Sequence, residues 1–244
     1  MLIIDKYIPF VKETIGQTVL PDWQQVQVSA LEPEEITPQA VRNADALMVR
    51  TRTKINRELL EGSSVRLVAT ATIGYDHIDQ DYCRKTGIAW LSCPGCNAQA
   101  VCDYVEEALL EQKIPLNAKK IGIVGVGHVG TLVAQMAERY GMQVLLNDPP
   151  RNIGVSLDEI AHSCDVITFH TPLTRVGQYP TYHLCDEAFL QQCNPETLII
   201  NAARGGIVDE MALLRTKHPC VIDTWENEPR LNRDLLQVAQ LASY

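Results

Sequence analysis

The sequence predicts an α/β protein built on parallel sheets and divided into two parts. Short apolar runs of strand length alternate with amphipathic segments of helical period along the 244 residues. One passage, residues 121–148, runs strand, glycine turn, helix, strand. Later apolar runs each end in a polar turn. Strands separated by helices pair in parallel and bury both faces. At the usual domain size, residues 1–97 form one small α/β domain and residues 98–244 a second.

Residues 2–4 read as the first strand, and residues 9–15 as a helix with Pro9 in its first turn. Strands follow at 26–30, 46–50, 67–72 and 88–92, each bounded by turn or helix formers. Asn97 is the expected cap of a connecting helix over 98–110. The second part continues with strand 121–124, helix 131–140 and strand 145–148. Helices at 156–162 and 185–192 alternate with strands at 166–170, 198–201 and 220–224. Residues 149–155 and 211–218 are short for parallel crossovers, which need about a dozen residues or more.

Residues 121–148 carry the first chemistry. In Gly125-x-Gly127-x-x-Gly130 the first glycine suits a tight turn, the second leaves a backbone open to a pyrophosphate, and the third lets helix and strand pack closely. The pyrophosphate would sit on the free N–H groups of the helix that follows. Asp148 lies 18 residues beyond Gly130, near the spacing of about 20 expected for an acid that accepts from ribose hydroxyls. A carboxylate there repels a 2′-phosphate, so NAD is the expected cofactor. This is the pattern of a Rossmann-type, doubly wound sheet.

Composition narrows the remaining classes. A formal charge of −9 argues against nucleic acid or an anionic membrane as main partner. No run approaches the ~20 apolar residues of a membrane span, and Met1-Leu2-Ile3-Ile4-Asp5-Lys6 lacks the features of a secretion signal, so a cytoplasmic location is expected. The eight cysteines show no disulfide framework. Cys93-Pro94-Gly95-Cys96 has no second pair or nearby histidine, so no metal is expected.

Three more strand ends face the edge where ligands of open α/β sheets bind. His170-Thr171-Pro172 offers Thr171 as a cofactor contact or a turn residue before proline, and His170 as a packing residue. Asn201-Ala202-Ala203-Arg204-Gly205-Gly206 sets small side chains beside one arginine, a planar fork for a carboxylate or else a surface ion-pair partner. Asp223-Thr224-Trp225-Glu226-Asn227-Glu228 could supply an acceptor for a nicotinamide amide and a carboxylate that orients a basic histidine, or it could be a solvated acidic loop. Arg50 and Arg52 are candidate phosphate cations or surface ion-pair formers.

Together these stretches, with Asp223-x-x-x-x-Glu228-Pro229, resemble the successive motifs of the D-isomer-specific 2-hydroxyacid dehydrogenases. Met48-Val49-Arg50-Thr51-Arg52-Thr53, the run from Ala71 to Asp79, Cys93-Pro94-Gly95-Cys96-Asn97-Ala98, Asp148-Pro149-Pro150-Arg151 and Tyr179-Pro180-Thr181-Tyr182-His183-Leu184 resemble one branch of that family. That branch oxidises 4-phospho-D-erythronate at its 2-hydroxyl on the route to pyridoxal phosphate.

The resemblance implies a Rossmann-type NAD domain plus a smaller flavodoxin-like substrate domain that closes on it, excluding water from the hydride path. It implies that Arg204 and Glu228 are catalytic and that Thr51 and Thr72 bind substrate. It places Gly125, Gly127, His128, Val129, Gly130, Asp148, Thr171, Ala202, Ala203 and Asp223 at NAD. The family's general base opens a His-Ile-Ala-Gly-Tyr stretch past the acidic loop, and a dimerisation region follows. The sequence ends at Tyr244 before both, so the expectation is NAD binding with turnover reduced ~10²- to 10⁴-fold. A non-catalytic NAD-responsive protein and a dehydrogenase for another D-2-hydroxy acid are the alternatives.

Overall fold

The structure, a computed structural model, describes residues 1–8, 26–113, 115–228, 230–239 and 241–242. The helix expected at 9–15 lies outside them. The chain divides into two compact units, Met1–Cys96 and Asn97–Tyr244.

In the first unit the strands are β1 (Leu2–Asp5), β2 (Val28–Leu31), β3 (Ala46–Val49), β4 (Leu67–Thr70) and β5 (Ala89–Leu91). They pair in parallel in the order β2-β1-β3-β4-β5, the flavodoxin-like arrangement. Helices Pro38–Val41, Arg57–Leu60 and Gln80–Thr86 are started by side-chain caps from Thr37, Asn56 and Asp79, which satisfy otherwise orphaned first-turn N–H groups. Ile3, Leu47, Val49 and Val68 bury against Ile55, Leu59 and Ile78 to close the core.

The second unit opens with helix Ala98–Glu111. Its strands are β6 (Lys120–Val124), β7 (Gln143–Asp148), β8 (Ile153–Gly154), β9 (Val166–Phe169), β10 (Leu198–Asn201), β11 (Cys220–Ile222) and β12 (Leu241–Ala242). The sheet order is β12-β11-β10-β9-β6-β7-β8. All pairs are parallel except β7 with β8. Alternate residues point to opposite faces: Ile167, Phe169, Ile199 and Ile222 enter one core, while Ile121, Ile123, Ile200 and Val221 enter the other. A sheet buried on both sides reads as unbroken apolar runs, as its sequence does.

Four local expectations are corrected. Asn97 occupies the cap position but its side chain makes no cap bond. The helix after the glycine turn spans His128–Arg139, so it begins inside the motif and not at residue 131. The helix expected over 185–192 is only Glu187–Leu190, because Asp186 accepts from Phe189 N at 2.8 Å and Cys185 is drawn into a parallel bridge with Val208. The trimmed 149–155 connection holds the antiparallel strand β8, where Gly154 takes φ +83° and an added Cβ would lie 1.8 Å from the Leu146 carbonyl oxygen.

Candidate active site

Register builds the site. Asn147, Val124, Phe169, Asn201 and Ile222 are successive partners across β7, β6, β9, β10 and β11. The residues one step further, Asp148, Gly125, His170, Ala202 and Asp223, therefore stand along one carboxyl edge. The chain order reverses between β6 and β9, and ligands of open sheets bind at such a switch point.

Each motif glycine has a separate physical reason. Gly125 has φ +95°, and a Cβ there would lie 2.7 Å from the His170 carbonyl carbon. Gly130 packs on the same turn: its Cβ would fall 2.0 Å from the Gly125 oxygen. Gly127 has no atom within 4 Å of an added Cβ and is exposed. The first and third are required by the protein's own packing, and the second faces open space at a helix N-terminus. His128 and Val129 follow in the first helical turn, exposed and half-buried respectively.

A cavity of about 960 Å³ opens beside this turn, lined by Gly125, Gly127, Asp148, Arg151, Thr171 and Tyr179 among others. Asp148 accepts from Val126 N at 3.0 Å through one carboxylate oxygen. The Thr171 hydroxyl is buried with no hydrogen-bond partner. An unsatisfied buried hydroxyl is costly, so a polar ligand atom there would relieve it. An open backbone turn, a ribose-height acid and an orphaned hydroxyl fit a dinucleotide. His170 also lines the cavity, yet burial pushes its imidazole down to about 3, and its Nε2 lies 3.0 Å from Thr168 Oγ1. It is a neutral packing group.

The next two tips are tied to one another. Ala202 and Ala203 are each 8% exposed, and Arg204 starts the 3₁₀ turn Gly205–Ile207. Asn201 Nδ2 donates to the Arg204 carbonyl at 3.0 Å, and Arg204 Nη1 donates to the Ala203 carbonyl at 2.7 Å. A Cβ on Gly205 would lie 2.0 Å from the Trp225 carbonyl, so the arginine turn rests directly on the acidic loop. Asp223 N donates to Asn201 O at 2.9 Å. Glu226 N donates to the buried Glu210, whose carboxyl is raised by burial.

Glu228, which the resemblance makes the partner of the family's general-base histidine, is exposed and accepts from Trp225 N at 2.9 Å. The imidazole found with a carboxylate is His183, whose Nε2 lies 2.8 Å from Glu226 Oε1. Tyr182 OH donates to the same oxygen at 3.1 Å and stacks on His183 at 3.9 Å. Sequence reasoning missed this pair, although the Tyr-Pro-Thr-Tyr-His motif was its signal.

In the first unit Thr51 and Thr72 lie two residues past β3 and β4, whose register pairs Val49 with Thr70. Thr51 is exposed, while the Thr72 hydroxyl donates to the Gly74 carbonyl at 2.8 Å and lies 2.7 Å from Thr70 Oγ1. Arg50 Nη1 donates to the Tyr7 carbonyl at 3.2 Å, and Arg52 is exposed. Cys93 and Cys96 are free and exposed, and no cluster able to hold a metal occurs among the described residues. No helix among them is long and apolar enough to cross a membrane.

Comparison with known proteins agrees with this geometry. Residues 100–242 match the family model of the D-isomer specific 2-hydroxyacid dehydrogenase NAD binding domain. An erythronate-4-phosphate dehydrogenase of Bacteroides thetaiotaomicron is 45% identical over 97% of this chain, which spans 70% of that protein's length. In fold the chain is similar to the NAD⁺-bound 3-phosphoglycerate dehydrogenase of Entamoeba histolytica, with a TM-score of 0.83 at 24% identity, covering 100% of this chain and 86% of that one. It is also similar to the D-lactate dehydrogenase of Aquifex aeolicus, with a TM-score of 0.78 at 22% identity, covering 98% and 84%. The chain belongs to the D-isomer specific 2-hydroxyacid dehydrogenases, NAD-dependent oxidoreductases among which it groups with the erythronate-4-phosphate dehydrogenases.

Proposed function

We propose that the chain oxidises the 2-hydroxyl of 4-phospho-D-erythronate, giving the 2-oxo acid and NADH. The carrying observation is the register row, which sets the glycine turn, Thr171, the Arg204 turn and the acidic loop along one sheet edge. The name of the Bacteroides thetaiotaomicron relative supplies the substrate. NAD held on the glycine turn and Asp148 would supply the acceptor for the hydride that leaves C2.

The chain's residues do the rest. Gly125, Gly127, His128, Val129 and Gly130 hold the pyrophosphate, Asp148 the ribose, and Thr171, Ala202, Ala203 and Asp223 the nicotinamide half. Arg204 grips the substrate carboxylate and the developing carbonyl with a planar guanidinium fork. Its turn is held by Asn201 through the Arg204 carbonyl, which fixes the backbone that carries the fork. Thr51 and Thr72 bind substrate from the first unit, with Arg50 and Arg52 as the phosphate's cations.

Removal of the hydroxyl proton needs a base. Among the described residues no imidazole donates to Glu228, and His183 is committed to Glu226. We therefore propose that these 244 residues bind NAD yet turn over slowly, by the ~10²- to 10⁴-fold that general-base catalysis contributes.

The test is NADH formation with 4-phospho-D-erythronate, D-3-phosphoglycerate and D-lactate, under single-turnover and steady-state conditions, beside NAD calorimetry. Preference for the phosphorylated four-carbon acid, with Arg204→Lys reducing single-turnover rate more than NAD affinity, supports the reading. Equal use of D-lactate would remove the phosphate assignment. NAD binding with no hydride transfer to any acid would favour the non-catalytic, NAD-responsive reading.

A further inference from the structure

Two nucleophilic side chains have no part in the proposed oxidation. Of the eight cysteines, six are buried, and burial raises every one of those thiols, Cys164 and Cys220 to about 12. Such thiols stay protonated and inert. Cys93 and Cys96 are free and exposed, and they stand at the two ends of one tight turn. Cys96 N donates to the Cys93 carbonyl at 3.2 Å, and Gly95 takes φ +77° behind Pro94. Proline second and a positive-φ glycine third are the marks of a type II turn, whose outer Cα atoms lie within about 7 Å of each other. A disulfide bridges Cα separations of about 4.4–6.8 Å. The turn therefore preorganises ring closure, because proline fixes one backbone angle and glycine takes the other without strain.

The turn also sits beside the substrate half. It ends the first unit at Cys96, and helix Ala98–Glu111 opens the second. Cys93 N donates to the carbonyl of Thr72 at 3.3 Å. We propose that Cys93 and Cys96 form a reversible dithiol–disulfide couple that exchanges with small-molecule disulfides of the glutathione class. One thiolate attacks the small disulfide, which releases one small thiol and leaves a mixed disulfide on the protein. The second thiolate then displaces the other small thiol as the ring closes. The protein loses two electrons and two protons, and the small disulfide gains them. Closure takes freedom from the turn that holds Thr72, so the oxidised form resists the exchange of partners that substrate binding there requires. That consequence rests on the substrate role proposed for Thr72, whereas the couple rests on the turn alone.

The test equilibrates the full chain in glutathione buffers of graded oxidised-to-reduced ratio, blocks remaining thiols with a maleimide and reads the peptides by mass spectrometry. The peptide holding both cysteines should lose two hydrogens, carry no glutathione and recover two labelled thiols after dithiothreitol. Cys96→Ser should instead retain glutathione on Cys93. Gly95→Val strains the positive φ and should lower the oxidised fraction several-fold at a fixed ratio. By calorimetry the oxidised protein should bind NAD as the reduced one does and 4-phospho-D-erythronate several-fold more weakly. Glutathione retained on the unaltered protein, linkage between two chains, or no reaction at either thiol would overturn the couple. An unchanged oxidised fraction in Gly95→Val would overturn the part assigned to the turn, and equal affinity for the acid in both redox states the link to Thr72. A reduced protein that bound no 4-phospho-D-erythronate would strike the substrate reading alone, because the couple is judged by the labelling.

Discussion

The carboxyl edges of the two sheets use their polar groups differently. In the second unit the edge includes hydroxyls with nothing to bond, those of Thr171 and Thr224, which are buried without partners, and Gly127 faces open space. In the first unit Thr53 past β3 is likewise unpartnered, while Thr72 bonds with Thr70 and Gly74, and Arg50 with the Tyr7 carbonyl. A preformed site carries its desolvation cost in the free protein and recovers it on binding. A site whose groups are already bonded must exchange partners, which lowers net affinity and favours recognition tied to movement. The cofactor half is the preformed one.

The sharpest break of this comparison comes from the glycines. Gly130→Ala forces a Cβ to within 2.0 Å of the Gly125 oxygen, and should cost about 3 kcal/mol and lower Tm by roughly 10 °C. Gly127→Ala meets no protein atom. As alanine is a poorer helix cap than glycine, it should lower Tm by no more than about 4 °C while weakening NAD binding roughly tenfold or more. Thermal melts with and without NAD read both. A Gly127→Ala variant as destabilised as Gly130→Ala, with NAD affinity unchanged, would mean that the open space is not there for a ligand.

Next in size is an acid effect seated on the same edge. Burial holds His170 neutral with a pKa near 3, against 6.5 unfolded. The unfolded chain therefore binds an extra proton below pH 6.5, and the folded one does not until about pH 3. Stability present above pH 6.5 is lost as the pH falls through that window, by about 2 kcal/mol at pH 5. His170→Gln should flatten this part of the pH–stability curve. An unchanged slope would place the imidazole in contact with water.

The His183–Glu226 bond comes third. His183→Asn keeps a residue tolerant of φ +50° and removes a 2.8 Å contact to a carboxylate. The expected loss is about 1.5 kcal/mol, with faster hydrogen exchange at the Glu226 amide and unchanged exchange in β6. Uniformly faster exchange would show that the pair supports the whole unit and not the acidic loop.

How much of this was legible beforehand follows chain distance. The glycine turn and Asp148 are fixed by spacing within one β-helix-β passage, so the letters specify them. The helix start at His128 was misplaced because its cap is Gly127, which has no side chain to announce it. Strands β8 and β12, two residues each, are too short to show any period. The His183–Glu226 pair spans 43 residues and the Gly205 contact with Trp225 joins separate strand tips. Such contacts depend on sheet order, which the sequence constrains only through crossover rules. Glu228 follows from a motif alone, whereas the pairing of Glu226 with His183 depends on two strand tips meeting.

The smallest expected effects test the comparison most directly, because they should run in opposite directions. Thr171→Val removes a hydroxyl that has no partner, so stability should hold or rise slightly while NAD affinity falls a few-fold. Thr72→Val removes one bonded to Gly74 and placed against Thr70. It should cost about 1 kcal/mol, raise KM for the phosphorylated acid and leave NAD affinity unchanged. If Thr171→Val destabilised the protein and Thr72→Val did not, the assignment of preformed and committed edges would have to be exchanged, because the unfolding free energy records which hydroxyl the free protein had already used.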